Sequence, residues 1–297
     1  MRISLSLTEY TFPGGASQLA REMGRIAALA DDGGLDTLWV PDHLIQGAPG
    51  ADLADAMLEP YTALGYLAAA TRRIRLGAAV SAVTFRPPSL LIKAVTTLDV
   101  LSGGRAWLGI GAGYLQEEAD MMGLPLPPTG ERFEHLEDTL RLALQMWDGD
   151  ESPFEGARHR LTRPVNSPPA LSGPHPPIMI GGTGERKTLR LVARYGQACN
   201  LPDIPDGGLT IRRKLDVLAG HCADVGRPFG EIEKTVATRI DPDEPAAAFA
   251  ERCAALAELG LEHAMVITSG PFTPERVERL AEAASIVRDV EAAALTT

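Results

Sequence analysis

Residues 88–110 read PSLLIKAVTTLDVLSGGRAWLGI. Pro87 and Pro88 suit a first helical turn, where the absent N–H has no partner to lose. Leu90, Leu91, Ala94, Val95 and Leu98 recur at helical spacing as one apolar stripe, and Gly103 or Gly104 suits a left-handed stop. Directly after the glycines comes Ala106–Ile110, an apolar run of strand length. A helix that feeds at once into a buried strand is the unit of a βα repeat.

Working outward in both directions, the same alternation recurs. Eight strand-like runs are expected at Ile3–Thr8, Thr37–Val40, Ile74–Val80, Ala106–Ile110, Pro177–Gly181, Ala198–Leu201, Lys234–Thr238 and Ala264–Thr268. The helices expected between them span 16–31, 60–71, 88–101, 131–147, 184–195, 207–225, 244–259 and 274–292; in the fourth, Leu136, Leu140, Ala143, Leu144 and Trp147 repeat the apolar stripe. Eight strands each followed by a helix predict an α/β fold, a single (β/α)8 barrel domain over 1–297, with a doubly wound open sheet as the alternative. Two connections are long. Pro41–Glu59 follows the second strand and reads as a lid or pocket wall. The proline-rich Gly149–Pro176, with a small hairpin around PFEGARHRL, reads as a brace at the barrel base or an interface.

Composition narrows the function classes. The chain has 297 residues, 28 Lys and Arg against 39 Asp and Glu, a formal charge of −11, and 45% apolar residues. An acidic balance argues against nucleic acid or an anionic membrane as partner. No run of about 18 apolar residues occurs, and MRISLSLTEYTFPGG lacks the apolar core of a signal peptide, so a cytoplasmic protein is expected. Cys199, Cys222 and Cys253 lack zinc-ligand spacing, and Cys222 and Cys253 fall on apolar helix faces, so core packing is the better reading and no metal site is expected.

Four local features carry chemistry. Gly181-Gly182-Thr183-Gly184-Glu185-Arg186-Lys187-Thr188 lies where a strand ends and a helix begins, so free backbone N–H groups, with Arg186 and Lys187, suit a phosphate. It matches neither a Walker A loop nor a dinucleotide fingerprint. Asp42-His43 follows the second strand, where an imidazole can relay a proton and a carboxylate can hold a ring system or fix the imidazole's tautomer. Along Leu76–Pro88, small residues at the end of a strand let a flat ligand lie against backbone, though tight packing alone also explains them. Gly109-Ile110-Gly111-Ala112-Gly113-Tyr114, followed by Gln116-Glu117-Glu118, reads as close backbone approach at a pocket rim. The other five histidines have no metal-ligand spacing, and structural or surface roles suit them better.

The segments GLDTLWVPDHL, RIRLGAAVSAVTFRPP, LIKAVTTLDVLSGGRAWLGIGAGY, PTGERFEHLEDTLRLALQMWDG and PPIMIGGTGERKTLRLVARYGQACNL, in this order, resemble the bacterial luciferase-like superfamily, specifically its coenzyme F420-dependent oxidoreductases. The resemblance implies a barrel that binds F420, or FMN, at the C-terminal strand ends, and a homodimer. It implies that Asp42 contacts the deazaflavin, that His43 is catalytic, and that Ala79–Val80 is a non-prolyl cis peptide supporting the ring. Gly182, Thr183 and Gly184 match the loop that holds the cofactor phosphate. In the family's sugar-phosphate dehydrogenases a glutamate stands at the position of Tyr114 and a cofactor-touching asparagine at that of Glu117, so that activity is not expected here.

The expected cofactor-binding set is therefore Asp42, Ala79, Val80, Ala82, Gly113, Glu117, Gly181, Gly182, Thr183, Gly184, Arg186 and Lys187. His43 is the expected proton relay, and Phe12, Tyr61, Phe85, Tyr114 and Arg239 the expected substrate pocket for a small molecule. The expected reaction is hydride transfer between the deazaflavin and an alcohol, imine or activated alkene. An FMNH2-dependent monooxygenase on the same fold is the nearest alternative. A non-redox phosphate-binding barrel would need a catalytic lysine or a carboxylate pair at strand ends, and none of the four lysines stands at such a place. A non-catalytic relative would not need the intact glycine loop.

Overall fold

The computed structural model describes residues 1–47 and 52–294. Eight parallel strands, β1 (Arg2–Ser6), β2 (Thr37–Val40), β3 (Arg75–Ala78), β4 (Ala106–Gly111), β5 (Ile178–Gly181), β6 (Ala198–Pro202), β7 (Glu233–Arg239) and β8 (His263–Ile267), run in the order 3-2-1-8-7-6-5-4. Pairing of β3 with β4, Leu76 opposite Ala106 and Gly77 opposite Trp107, closes the ring. The fold is a (β/α)8 barrel, and the open-sheet alternative falls away. The outer layer is α1 (Ala16–Asp32), α2 (Pro60–Ala70), α3 (Pro88–Ser102), α4 (Gln116–Met122), α5 (Thr129–Trp147), α6 (Thr188–Tyr195), α7 (Leu209–Val225), α8 (Ala246–Glu258) and α9 (Pro274–Ala294). No helix among the described residues is long and apolar enough to cross a membrane.

Three departures from the sequence reading position the site. The expected strand 74–80 breaks after Ala78; the Ala79–Val80 peptide bond is cis, and the chain then pairs again only at Ser81–Ala82, beside Ile110–Gly111. Gly109 makes room for this turn, since a Cβ there would sit 1.9 Å from the Ala78 carbonyl oxygen. The short helix α4 was not expected, because seven residues with three acids show no apolar stripe. In α3 the stripe is rotated: Leu91, Ile92, Val95 and Leu98 are buried, with Leu90 outside, and the helix stops at Gly103 with φ +74°.

The barrel interior holds Trp39, Trp107, Met179, Ala198 and Met265, side chains from five strands that meet only inside the ring. The two indoles lie 5.7 Å apart, and Gly77 leaves the space between them, its would-be Cβ 2.6 Å from Trp39. Ala79 and Val80 pack on this cluster. Cys199, Cys222 and Cys253 are free and buried, and burial pushes the Cys199 thiol up to about 12, so it holds no thiolate at neutral pH.

The proline-rich connection before β5 carries the expected hairpin, Phe154–Glu155 with Arg160–Leu161. Asp138 of α5 fixes it by accepting from the backbone N–H groups of Ala157, Arg158 and His159. Asp99, fully buried near the end of α3, accepts from the N–H groups of Leu171 (2.6 Å) and Ser172 (2.9 Å). The connection is thus strapped to α3 and α5 through two buried carboxylates.

Candidate active site

At the C-terminal strand ends lies a cavity of about 550 Å³. Its floor is Ala79, Val80 and Ala82, the first two packed on the cluster that holds the tryptophan pair. Glycines of two neighbouring strands accept this floor: a Cβ at Gly111 or Gly181 would fall 2.9 or 2.7 Å from Val80 Cγ2. Backbone therefore faces the cavity where other residues would fill it.

One wall is Asp42 and His43, just past β2. The imidazole Nδ1 lies 2.6 Å from Glu118 Oε2, and Glu118 Oε1 accepts from the Leu44 N–H at 2.6 Å. Glu118 has no exposed surface, while the imidazole is 24% exposed toward the opening. Leu115 seats α4 by packing where Gly47 has no side chain, its Cδ2 2.7 Å from the would-be Cβ. The Tyr114 ring meets His43 edge-on at 6.2 Å and is otherwise exposed.

Asp42 is wholly covered. Arg86 donates to its Oδ2 at 2.6 Å and reaches Glu59 Oε1 at 2.7 Å, while Asp42 Oδ1 is buried with no hydrogen-bond partner among the described residues. Burial pushes the Asp42 carboxyl above the usual carboxylate range, against the pull of the Arg86 guanidinium and the Ser81 hydroxyl.

The opposite wall is the glycine loop. Gly181, Gly182, Gly184 and Thr188 line the cavity, and Gly182 has φ +107°, a conformation that favours glycine. Glu185 ties the loop to α7 through Arg213 (3.0 Å) and Lys214 (2.8 Å), and its carbonyl accepts from His221 Nε2 at 2.7 Å. The cation on the wall is Arg132, one turn into α5, which bonds the Gly113 carbonyl and Thr129 Oγ1 and keeps a buried Nε–H without a partner among the described residues.

Residues 1–294 match the family model described as luciferase-like monooxygenase. The chain belongs to that family. It is 29% identical over 245 residues to an F420-dependent glucose-6-phosphate dehydrogenase of Kineococcus radiotolerans, covering 81% of this chain and 69% of that protein. It is 34% identical over 238 residues to a phthiodiolone/phenolphthiodiolone dimycocerosates ketoreductase of a Mycobacterium species, covering 71% of this chain and 60% of that one. A solved F420-dependent secondary alcohol dehydrogenase superposes with TM-score 0.80 at 17% identity, covering 97% and 99% of the two chains. The FMN complex of a Pseudomonas putida diketocamphane monooxygenase component gives TM-score 0.72 at 15% identity, covering 96% and 99%. At such identities these structures bear on the fold alone. With dehydrogenases among its relatives, this luciferase-like chain is an oxidoreductase.

Asp42, His43, Ala79, Val80, Ala82, Phe85, Gly113, Tyr114, Gly181, Gly182 and Gly184 all come together on this one cavity. The other expected residues lie elsewhere. Glu117 is exposed on α4; one residue along a helix is a rotation of about 100°, and it is Glu118 that turns inward. Thr183 lies off the wall, and Arg186 and Lys187 are exposed, the Lys187 ammonium resting 5.1 Å over the Phe133 ring. Tyr61 sits beneath Arg86 with its hydroxyl 2.9 Å from Ser81 Oγ, and Phe12 is buried in the core. Arg239 lines a separate cavity with Asp203, Arg212 and Arg252. Of the long connection after β2, residues 48–51 of the expected lid lie outside the described residues. Glu118, Arg132, Thr129 and Phe133 were not singled out by sequence reasoning; their signal lay in the Glu117-Glu118 pair and in the PTGERF segment, where helix phase decides which side chain faces in.

Proposed function

We propose that this chain is an F420-dependent oxidoreductase that moves a hydride between the deazaflavin C5 and a small organic substrate, an alcohol, imine or activated alkene. The observation that carries the reading is the His43 imidazole, held 2.6 Å from Glu118 Oε2 and set beside the Ala79–Val80 floor. The cavity volume suits a tricyclic ring with its side chain, and the orphaned Asp42 Oδ1 and Arg132 Nε–H are the buried polar atoms expected where a polar ligand completes the wall.

Bound there, the deazaflavin would supply the two-electron chemistry. The protein's residues do the rest. The glycine-backed floor would carry the ring, and Gly181, Gly182 and Gly184 with Thr188 would hold the phosphate through backbone N–H groups. Arg132 supplies the positive charge in the wall that the sequence reading gave to Arg186 and Lys187. His43 would take or give the substrate proton as hydride moves. Tyr114, standing where the sugar-phosphate dehydrogenases carry a glutamate, offers no carboxylic acid.

FMNH2-dependent monooxygenation is the second reading, favoured by the monooxygenase description of the matching family and by a phosphate loop that suits either cofactor. The homodimer belongs to the proposal as well, supported by exposed Tyr66, Leu90 and Leu101 on α2 and α3, and light scattering tests it. Parallel fluorescence titrations with F420 and reduced FMN decide the cofactor. Saturable binding of F420 alone supports the first reading; binding of FMN alone overturns it.

A further inference from the structure

We propose that Glu118 is the positioning residue of His43: it holds the imidazole as the Nδ1–H tautomer, so that Nε2 is the atom that exchanges a proton in the cavity. The inference rests on the reading of His43 as proton relay. It begins with a count of donors and acceptors around one buried carboxylate. Glu118 Oε1 receives the Leu44 N–H at 2.6 Å, so this side of the group acts as acceptor. Oε2 faces His43 Nδ1 at 2.6 Å, and an ionised carboxylate has no hydrogen to give. The proton of that contact therefore belongs to the ring, and the lone pair of the neutral imidazole is left on Nε2.

The same carboxylate ties two consecutive residues, His43 by its ring and Leu44 by its backbone, which fixes the imidazole's direction as well as its tautomer. When Nε2 takes up a proton, the positive charge forms against a fully buried anion and needs no water to rearrange. The other charged or titratable groups that face this pair are Asp42 beside it, Arg86 behind Asp42, Tyr114 at the ring edge and Arg132 across the cavity. None of them has a hydrogen bond to the imidazole.

Glu118→Gln tests the idea with almost no change of shape. A carboxamide has one acceptor oxygen for two donors. If that oxygen stays on the Leu44 N–H, its NH2 group must donate to Nδ1, which drives the ring to the Nε2–H tautomer. Long-range 15N–1H spectra of the cofactor-free protein report the tautomer directly, with the His43 signal assigned by its loss in His43→Gln. The expected result is Nδ1–H in the wild type and Nε2–H in Glu118→Gln, with turnover of the loaded enzyme reduced roughly 100-fold and cofactor affinity retained. Nε2–H in the wild type, or an unchanged pattern in Glu118→Gln, overturns the proposal. The wild-type spectrum suffices if the variant does not fold. Because it is taken without cofactor, its outcome is separate from whether F420 or FMN binds.

Discussion

At His43 the chemistry depends on one face of one ring being open. The imidazole is anchored on its Nδ1 side and 24% exposed, so its reach into the cavity is through the opposite edge. Replacing it with alanine is expected to lower turnover by roughly 100-fold or more while the cofactor dissociation constant changes little, since floor and phosphate loop remain. Steady-state rates alongside a binding titration check this, and unchanged turnover would remove the relay role. The Asp42-His43 pair was legible in the sequence because a strand end fixes where both residues emerge. Glu118 and Arg132 were not: the helix that turns Glu118 inward shows no apolar stripe, and Arg132 owes its place to the phase of α5, which begins at Thr129. Glu117, the residue to which the family resemblance points, faces solvent.

Among the elements, β3 and β4 set the geometry of the floor. Gly109 is the residue without which the break after Ala78 has no space: its would-be Cβ meets a backbone oxygen at 1.9 Å, which no side-chain rotation relieves. Gly109→Ala is therefore expected to destabilise the fold by about 3 kcal/mol or more, seen as a fall in the urea midpoint, and to weaken cofactor binding even where protein remains folded. Wild-type stability in this variant would contradict the packing described. The alternation of apolar runs and helical stripes located all eight strands because each strand is buried on both faces. It did not locate the break in the third, since Ala79 and Val80 are as apolar as a continuing strand would be. Nor did it find α4, which buries only Glu118 and Ala119 and is seated by Leu115 rather than by a stripe.

The whole molecule has a second polar centre at the opposite end of the barrel from the cavity. Arg2, Asp36, Arg75, Glu233 and His263 come from or adjoin the starts of five strands, with Arg2 2.8 Å from Glu233 and His263 Nδ1 2.6 Å from Glu233 Oε1. Arg75 pairs with Asp36 and lies 4.6 Å over the Trp107 ring. Burial alone would raise the Asp36 and Glu233 carboxyls, but His263 and Arg75 facing Asp36, and His263, Arg2 and Arg75 facing Glu233, more than offset it and hold both below the usual carboxylate range. The unfolded chain then binds more protons than the folded one as pH falls. Their stabilisation is complete above the unfolded values of about 4 and is lost as pH drops through the lower folded ones. Urea midpoints are expected to fall between about pH 5 and 3, and to fall less steeply in Arg75→Met, whose carboxyls titrate nearer their ordinary values. An equal slope in both proteins would show that the cluster does not carry the acid sensitivity. The barrel itself was legible as eight repeats; this cluster was not, because it joins residues as far apart in the chain as Arg2 and His263.

One contact at the mouth reaches beyond catalysis. The Arg86 guanidinium grips Asp42 with one nitrogen and Glu59 with another, and these two carboxylates stand at the two ends of the connection between β2 and α2. The ends of that loop are thus clipped together from outside, whatever its length. Closing a longer loop between fixed ends costs only about 0.6 kcal/mol per doubling. With His43 and Leu44 held by Glu118, Gly47 packed on Leu115 and Ala56–Leu58 packed on the core, it is the stretch between Gly47 and Ala56 that can change in length at little cost to the barrel.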